Sequence, residues 1–352
     1  MKRYWTLFIN EFKLARTAVP SHIVAIIQPT ILYLFMGAIL GSPLMAMNLK
    51  TPETAVGQAL QTAMEEEGSP IGDQYIDLTL VEQDQPEELR QVIVVEEENG
   101  VETAVQRYGL IDGNQVKNLR NRLTSAALSL WTAELGDQAV TIEEYPWLPQ
   151  DNPHKFYFGM GLLPMAMFLA TIMLGSVLTA QDFENGTIQE ERLAPTSIAL
   201  PVTVRIARVT LYAYLSVILL LIVSGFMTGF WPASVWPVFA ALLPVGIIGG
   251  GFGIILGLIF RSSVTVYVLS LGLSMALWLF GNSFGLTNFG GLYAFFTKLS
   301  PNSYAVQLIF PQFFGREISL PGLSPELALT IGVVGMVSAA LLTYRWRVRG
   351  QS

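Results

Sequence analysis

Apolar residues run through this chain in long blocks separated by short polar stretches, on the length scale of membrane crossings. A helix needs roughly 20 mainly apolar residues to cross about 30 Å of hydrocarbon. Six blocks meet that length, near 22–46, 157–179, 207–229, 238–260, 264–284 and 326–344. A seventh, 289–314, is interrupted by Gly290, Gly291, Lys298, Pro301 and Pro311. Irregular backbone at membrane depth persists only where protein or a cavity shields it, so this block reads as a re-entrant or interfacial pair of half-helices, with a plain seventh span as the alternative. Ahead of the first block, Tyr4, Trp5, Phe8, Phe12 and Ala15 recur at helical spacing opposite Lys2, Arg3, Asn10, Lys13 and Arg16. That predicts an amphipathic helix over 1–20, lying flat on the inner leaflet. The region near Ala46 matches a signal-peptide cleavage site poorly, and the expectation is that the first span is retained.

Between the first and second spans the pattern changes. Ile76–Glu82 alternates, Gln91–Val95 is rich in β-branched residues, and Glu98-Asn99-Gly100 supplies turn chemistry before a second β-prone run at Glu102–Leu110. Asp112 or Asn114 is placed to cap a helix whose apolar face carries Val116, Leu119, Leu123, Ala127, Leu130 and Trp131. The predicted fold class is therefore an all-α polytopic membrane domain, six transmembrane helices plus the re-entrant or interfacial segment, with an inserted α/β extracytoplasmic domain. In chain order this gives the interfacial helix 1–20, the first transmembrane helix 21–47, the external domain 48–155, helices two to six over 156–345, and a tail at 346–352. Within 156–345 lie a cytoplasmic loop at 180–206 and the re-entrant segment at 289–316.

Charge sharpens this division. The chain carries a formal −7, but residues 48–155 hold 20 acids against 7 bases, a net −13, so the remainder is basic. Lys and Arg flank the cytoplasmic ends of membrane helices. Lys2, Arg3, Lys13 and Arg16 at one end and Arg345, Arg347 and Arg349 at the other predict that both termini are cytoplasmic, with Arg192, Arg205, Arg208 and Arg261 on the same side. The acidic stretch is then outside. Glu65–Glu67 and Glu96–Glu98 read as its solvated face, and the charge distribution offers nothing to nucleic acid.

Composition excludes several chemistries. At 52% apolar and 13% charged residues, the chain is too apolar for one soluble domain of this size. It has no cysteine, hence no disulfide, thiolate metal site or cysteine nucleophile. No lysine follows a glycine, so the Walker A loop, in which glycine amides cradle phosphate and a lysine neutralises it, is absent. His22 and His154 are the two histidines and fall on opposite sides of the first span, which leaves no zinc site and no serine–histidine pair. No catalytic residue, cofactor or metal is expected. No span holds a central acid, which disfavours an ion-coupled transporter with a carboxylate relay.

The loop after the second span reads Gln181-Asp182-Phe183-Glu184-Asn185-Gly186-Thr187-Ile188-Gln189-Glu190-Glu191-Arg192-Leu193-Ala194-Pro195-Thr196. It resembles the signature of ABC-2-type permeases, where a charged run leads into Gly-Thr, an acidic position, a leucine and a Thr-Pro-like turn. Gly186, Thr187, Glu190, Leu193 and Pro195 stand at matching places. The last pair reads Pro-Thr, and the family's Gly-Lys before the third span is absent, with Val204-Arg205 nearby. Leu299-Ser300-Pro301-Asn302-Ser303-Tyr304-Ala305, followed by Phe313-Phe314-Gly315, is similar to the family's segment before the final span. The order of amphipathic helix, span, large external domain and five further spans is also the family's.

The resemblance implies the permease subunit of an ATP-driven exporter in a prokaryotic cytoplasmic membrane, working with a second permease copy and two copies of an ABC ATP-binding subunit. The loop would dock on that subunit. Asp182, Glu184, Glu190, Glu191 and Arg192 offer charge pairing, Gly186-Thr187 a bend or cap, and Ile188 and Leu193 apolar anchors, with Pro195 closing the motif. The path walls would suit an amphipathic or lipid-like substrate. A second reading is a membrane-anchored sensor or scaffold whose external domain binds a partner. Six spans exceed what an anchor needs.

Two further features concern the spans themselves. Gly249, Gly253 and Gly257 recur every fourth residue and put a smooth stripe on one helix face, suited to close packing within the subunit or to a sliding contact. Gln28, beside Pro29, and Asn282 and Ser283, at the outer end of the fifth span, are polar groups placed to line a path; for Gln28 a helix-to-helix hydrogen bond is the alternative.

Overall fold

The computed structural model describes residues 5, 6, 8, 9, 19–40, 45–50, 55–66, 76–80, 91–98, 101–108, 113–135, 154–193, 197–281, 291–315 and 323–349. The chain divides into two units, one formed by Met1–Ala38 with Pro153–Ser352 and the other by Ile39–Asn152.

The first unit is helical. Helix α1, Val19–Leu40, is apolar with Pro29 inside it. It ends earlier than the predicted first span, because Met45–Lys50 is a strand of the other unit. The apolar residues Met45 and Met47 belong to that strand, and hydropathy by itself does not distinguish the end of a span from the start of a strand. Trp5, Thr6, Phe8 and Ile9 are helical, with Trp5 and Phe8 stacked at 5.7 Å; the other residues of the predicted interfacial helix up to position 18 lie outside the described residues.

In the second unit, β1 (Met45–Lys50), α2 (Ala55–Glu65), β2 (Ile76–Leu80), β3 (Gln91–Glu98), β4 (Val101–Tyr108) and α3 (Gly113–Leu135) follow in order. The sheet order is β2-β1-β3-β4, with β1 parallel to both neighbours and β3 antiparallel to β4. The hairpin pairs Glu98 with Val101, leaving Asn99 and Gly100, which lie outside the described residues, as its two-residue connection. Helix α2 buries Leu60 and Met64, and α3 packs on it with Ala126 fully buried. The predicted apolar face of α3 needs correction. Ala126 is buried with Leu123 and Leu130 half-buried on the same face, while Ala127 and Trp131, one position past it on the 3.6-residue repeat, are exposed; the side chains of Val116 and Leu119 lie outside the described residues.

The remaining helices of the first unit are α4 (His154–Glu184), α5 (Ile188–Leu193), α6 (Ala199–Thr228), α7 (Val235–Phe260), α8 (Ser263–Leu279), α9 (Gly291–Leu299), α10 (Pro301–Phe314) and α11 (Pro325–Tyr344), the last continued by a π-helical turn over Arg345–Arg349. Four of these, Tyr157–Glu184, Ala199–Thr228, Val235–Phe260 and Pro325–Val348, are long and apolar enough to cross a membrane; α1 and α8 contain shorter apolar helices. The interrupted block is two helices that meet at Ser300, where Pro301 opens α10 and Gly315 closes it in a left-handed conformation. Ser300 Oγ donates to Leu277 O at 2.8 Å and so pins the break to α8.

Helix α4 is the axis of this unit. It packs on α6, α7 and α8. Its contact with α7 is made by the glycine stripe. A Cβ at Gly253 would stand 2.5 Å from Ile172 O, and one at Gly257 2.6 Å from Ser176 O; Gly249 faces Thr171 and Phe168. Gly175 answers from α4, where a Cβ would meet Gly250 O at 3.0 Å. Backbone thus lies against backbone along the seam, which maximises dispersion contact where lipid offers no hydrophobic gain between helices. Two buried hydroxyls of α4 are hydrogen-bonded, Thr171 on Met167 O at 2.8 Å and Ser176 with Ser270 Oγ of α8 at 2.8 Å.

Candidate coupling site

Helix α4 has 31 residues, about 46 Å at 1.5 Å per residue, which exceeds the hydrocarbon thickness by several turns. Its overshoot carries Asp182, Phe183 and Glu184. The chain then reverses. Asn185 N–H donates to Gln181 O at 2.8 Å and Gly186 N–H to Phe183 O at 3.2 Å, and Gly186 takes φ 75°, a left-handed value that glycine adopts without cost. Thr187 Oγ1 reaches back to Asp182, donating to its Oδ1 at 3.0 Å and its backbone O at 3.2 Å. Gln189 N–H to Gly186 O and Glu190 N–H to Thr187 O, both at 3.1 Å, start the short helix α5. Glu190 and Glu191 sit in its first turn, where acidic side chains complement the unpaired N–H groups.

The polar centre of this end is Arg205, in the second turn of α6 and only 3% exposed. Its Nη2 donates to Asp182 Oδ2 at 2.5 Å and also to Glu191 Oε1. The other oxygen of Glu191 accepts from the hydroxyl of Tyr344, at the end of α11. One guanidinium therefore joins the ends of α4, α5 and α6, and one carboxylate extends the link to α11. Arg208, a turn further along α6, is equally buried. An apolar cluster of Ile188, Val202, Ile206, Ile254, Leu258, Ala340, Tyr344 and Val348 lies under α5. It keeps the surroundings of the ion pairs drier than a surface loop, so the charge-assisted bonds are less screened.

A third tie runs to the turn between α7 and α8. Glu184 accepts from Ser263 N–H at 2.7 Å and from Ser263 Oγ at 2.8 Å on its second oxygen. Arg261, with φ 55°, closes α7 by donating its N–H to Gly257 O at 3.1 Å, and its guanidinium lies over the Phe183 ring at 4.8 Å.

The predicted docking residues thus separate. Asp182, Glu184 and Glu191 carry bonds within the chain, and Ile188 is buried in the apolar cluster. Gly186, Thr187, Gln189 and Glu190 are exposed on the outer side. Arg192 and Leu193 end α5, their side chains beyond the described residues, and Pro195, Asn282 and Ser283 lie outside the described residues altogether. Gln28 is half-buried on α1, and its Oε1 has no hydrogen-bond partner. Gly249, Gly253 and Gly257 line the α4–α7 seam. Sequence reasoning passed over Arg205 and Tyr344 as members of this site. The available signal was Arg205 and Arg208 inside an apolar helix, since such a charge needs a buried partner.

Among the described residues no group of three metal-ligating side chains is present. The arrangement holds helix ends in register.

Comparison with known proteins bears on what this register serves. A family model for the ABC-2 family transporter protein matches residues 20–342, nearly the whole chain, and the chain belongs to that family. No curated protein matches it. Membership makes it a multi-pass membrane subunit of an ABC transporter and implies partnership with an ABC ATP-binding subunit.

Proposed function

We propose that this ABC-2 family chain is the permease of an exporter in a prokaryotic cytoplasmic membrane, moving an amphipathic or lipid-like substrate while a separate subunit hydrolyses ATP. The family match over 20–342 carries this reading. The assembly holds two permease copies and two ATP-binding subunits. Six helices, α1, α4, α6, α7, α8 and α11, are the spans, and α9 with α10 forms the re-entrant pair. Basic residues at both ends and in the α4–α6 loop support cytoplasmic termini, with the acidic unit of strands and helices outside.

The loop around α5 is the docking element, and its exposed edge, Thr187, Gln189 and Glu190, faces the ATP-binding subunit. Truncating an apolar anchor in a desolvated pocket costs about 2 kcal/mol or more, whereas a rim charge contributes little. Leu193 is accordingly the main anchor and Glu190 a minor one. The test is co-expression with candidate ABC ATP-binding subunits from the same source. Leu193→Ala should lower co-purification more than Glu190→Lys, with both chains inserted normally. In this cysteine-free chain, Glu97→Cys should react with an impermeant thiol reagent on intact cells and Glu190→Cys should not. A correctly inserted chain that retains no ATP-binding subunit would overturn the proposal.

A further inference from the structure

We propose that Tyr344 and Arg205 are positioning residues of the transport cycle, which pass a displacement of the α5 loop to the C-terminal helix α11 by way of Glu191. This rests on the reading above, that the α5 loop receives the ATP-binding subunit. The sequence makes Glu191 a contact for that subunit; the structure turns it inward, with one oxygen on Arg205 and the other on Tyr344.

Helix α11 is peripheral, with 17% of its apolar window buried, and it packs chiefly on α7 and α10 rather than on α5. Its threonine hydroxyls turn back on the helix itself, Thr330 to Glu326 O at 2.7 Å and Thr343 to Ala339 O at 2.8 Å. Tyr344, 1% exposed, instead reaches out of α11 to a carboxylate on the six-residue helix α5. A buried phenol needs an acceptor, and a charged acceptor forms a shorter and stronger bond than a carbonyl. Motion at one site biases another only through a contact whose free energy differs between the two states. A charge-assisted bond whose phenol lies in one apolar cluster with Ile188, Val202, Ile254 and Leu258 fits that need, being directional and less screened than a surface contact. Arg205 complements it. Because its guanidinium holds Asp182 of α4 as well as Glu191 of α5, α5 is referenced to the central helix while it acts on the peripheral one.

The test uses the complex of permease and ATP-binding subunit in lipid nanodiscs. Two labelled pairs are prepared in the cysteine-free chain, Ser197→Cys with Val264→Cys to report the loop and Leu342→Cys with Val264→Cys to report α11. All three positions are exposed. Spin-label distances are read without nucleotide and with ATP and vanadate. In the parent both pairs should shift. Tyr344→Phe keeps the buried ring and removes one hydroxyl. It should leave the loop pair shifting and the bound ATP-binding subunit unchanged, and should reduce the shifted population of the α11 pair about tenfold, the leverage of one hydrogen bond to a charged acceptor. Adding Glu191→Gln should reduce it no further, because both changes break the same link. An α11 pair that shifts normally in Tyr344→Phe, or that never shifts in the parent, overturns the inference. Loss of both shifts together with the ATP-binding subunit also overturns it, since the bond would then only fold the loop. A parent chain that binds no ATP-binding subunit removes the earlier reading and this inference together, a result distinct from an unmoved α11.

Discussion

Helices α4 and α11 are equally apolar along their membrane windows, yet 94% of one window is buried inside the protein and 17% of the other. Hydropathy reports that a segment leaves water and says nothing about whether lipid or protein replaces it. The difference lies in residue size and polarity. Helix α4 presents Gly159, Ala166, Ala170, Thr171, Gly175 and Ser176 to its neighbours, where backbones approach and hydroxyls bond. Helix α11 turns Leu327, Ile331, Val334 and Leu342 outward and meets its neighbours along one narrow side, through Leu329, Gly332, Met336, Ala340 and Tyr344.

Substitutions can break this comparison. The largest effect is expected at the α4–α7 seam. Gly253→Leu forces a side chain into the backbone of Ile172 and Ser176, where no rotamer change gives relief. Overpacking of this kind costs about 3 kcal/mol or more, read as a collapse of the melting temperature in detergent. A mild loss would mean that the helices separate easily and that the seam is a sliding surface. Next comes Arg205→Ala, which leaves Asp182 and Glu191 facing one another without their shared cation. Removing one partner of a buried pair costs 3–5 kcal/mol, but both carboxylates are about a quarter exposed, so about 2 kcal/mol is expected in the same assay. Asp182→Asn in the same chain should recover part of it.

Smaller effects sharpen the contrast. Gly186→Ala adds a Cβ that meets nothing, so its cost is the left-handed backbone alone, about 1 kcal/mol. Val334→Ala, on the outward face of α11, should change stability by less than about 0.5 kcal/mol. A larger loss, or a change in oligomeric mass, would show that this face is covered by another copy of the chain.

Part of the site was legible in the residue order. The polar stretch 181–196 between two long apolar blocks, with Gly186-Thr187 as a bend or cap, marks the reversal, and the structure has Gly186 at φ 75°; that residues 181–184 continue α4 and Ile188–Leu193 form α5 is not read from it. Which carboxylate faces which way was not legible. Glu190 and Glu191 are adjacent and chemically alike, but on a helix adjacent residues point about 100° apart, and only the position of α6 and α11 decides that Glu191 meets Arg205 and Tyr344 while Glu190 faces out. The partner of Glu191 on α11 lies 153 residues away, beyond any local rule.

The apolar blocks alone determined where the long helices lie, because leaving water is a property of composition summed over a segment. The breaks at Gly291 and Pro301 likewise follow from local backbone chemistry. Tertiary structure decided the rest. It converted the end of the first apolar block into strand β1, selected α4 as the centre by matching its small residues to the glycines of α7, and drew Asp182, Arg205, Glu191 and Tyr344 together. Those outcomes depend on which surfaces meet, and an ion pair or a backbone seam has no energy until both of its sides are in place.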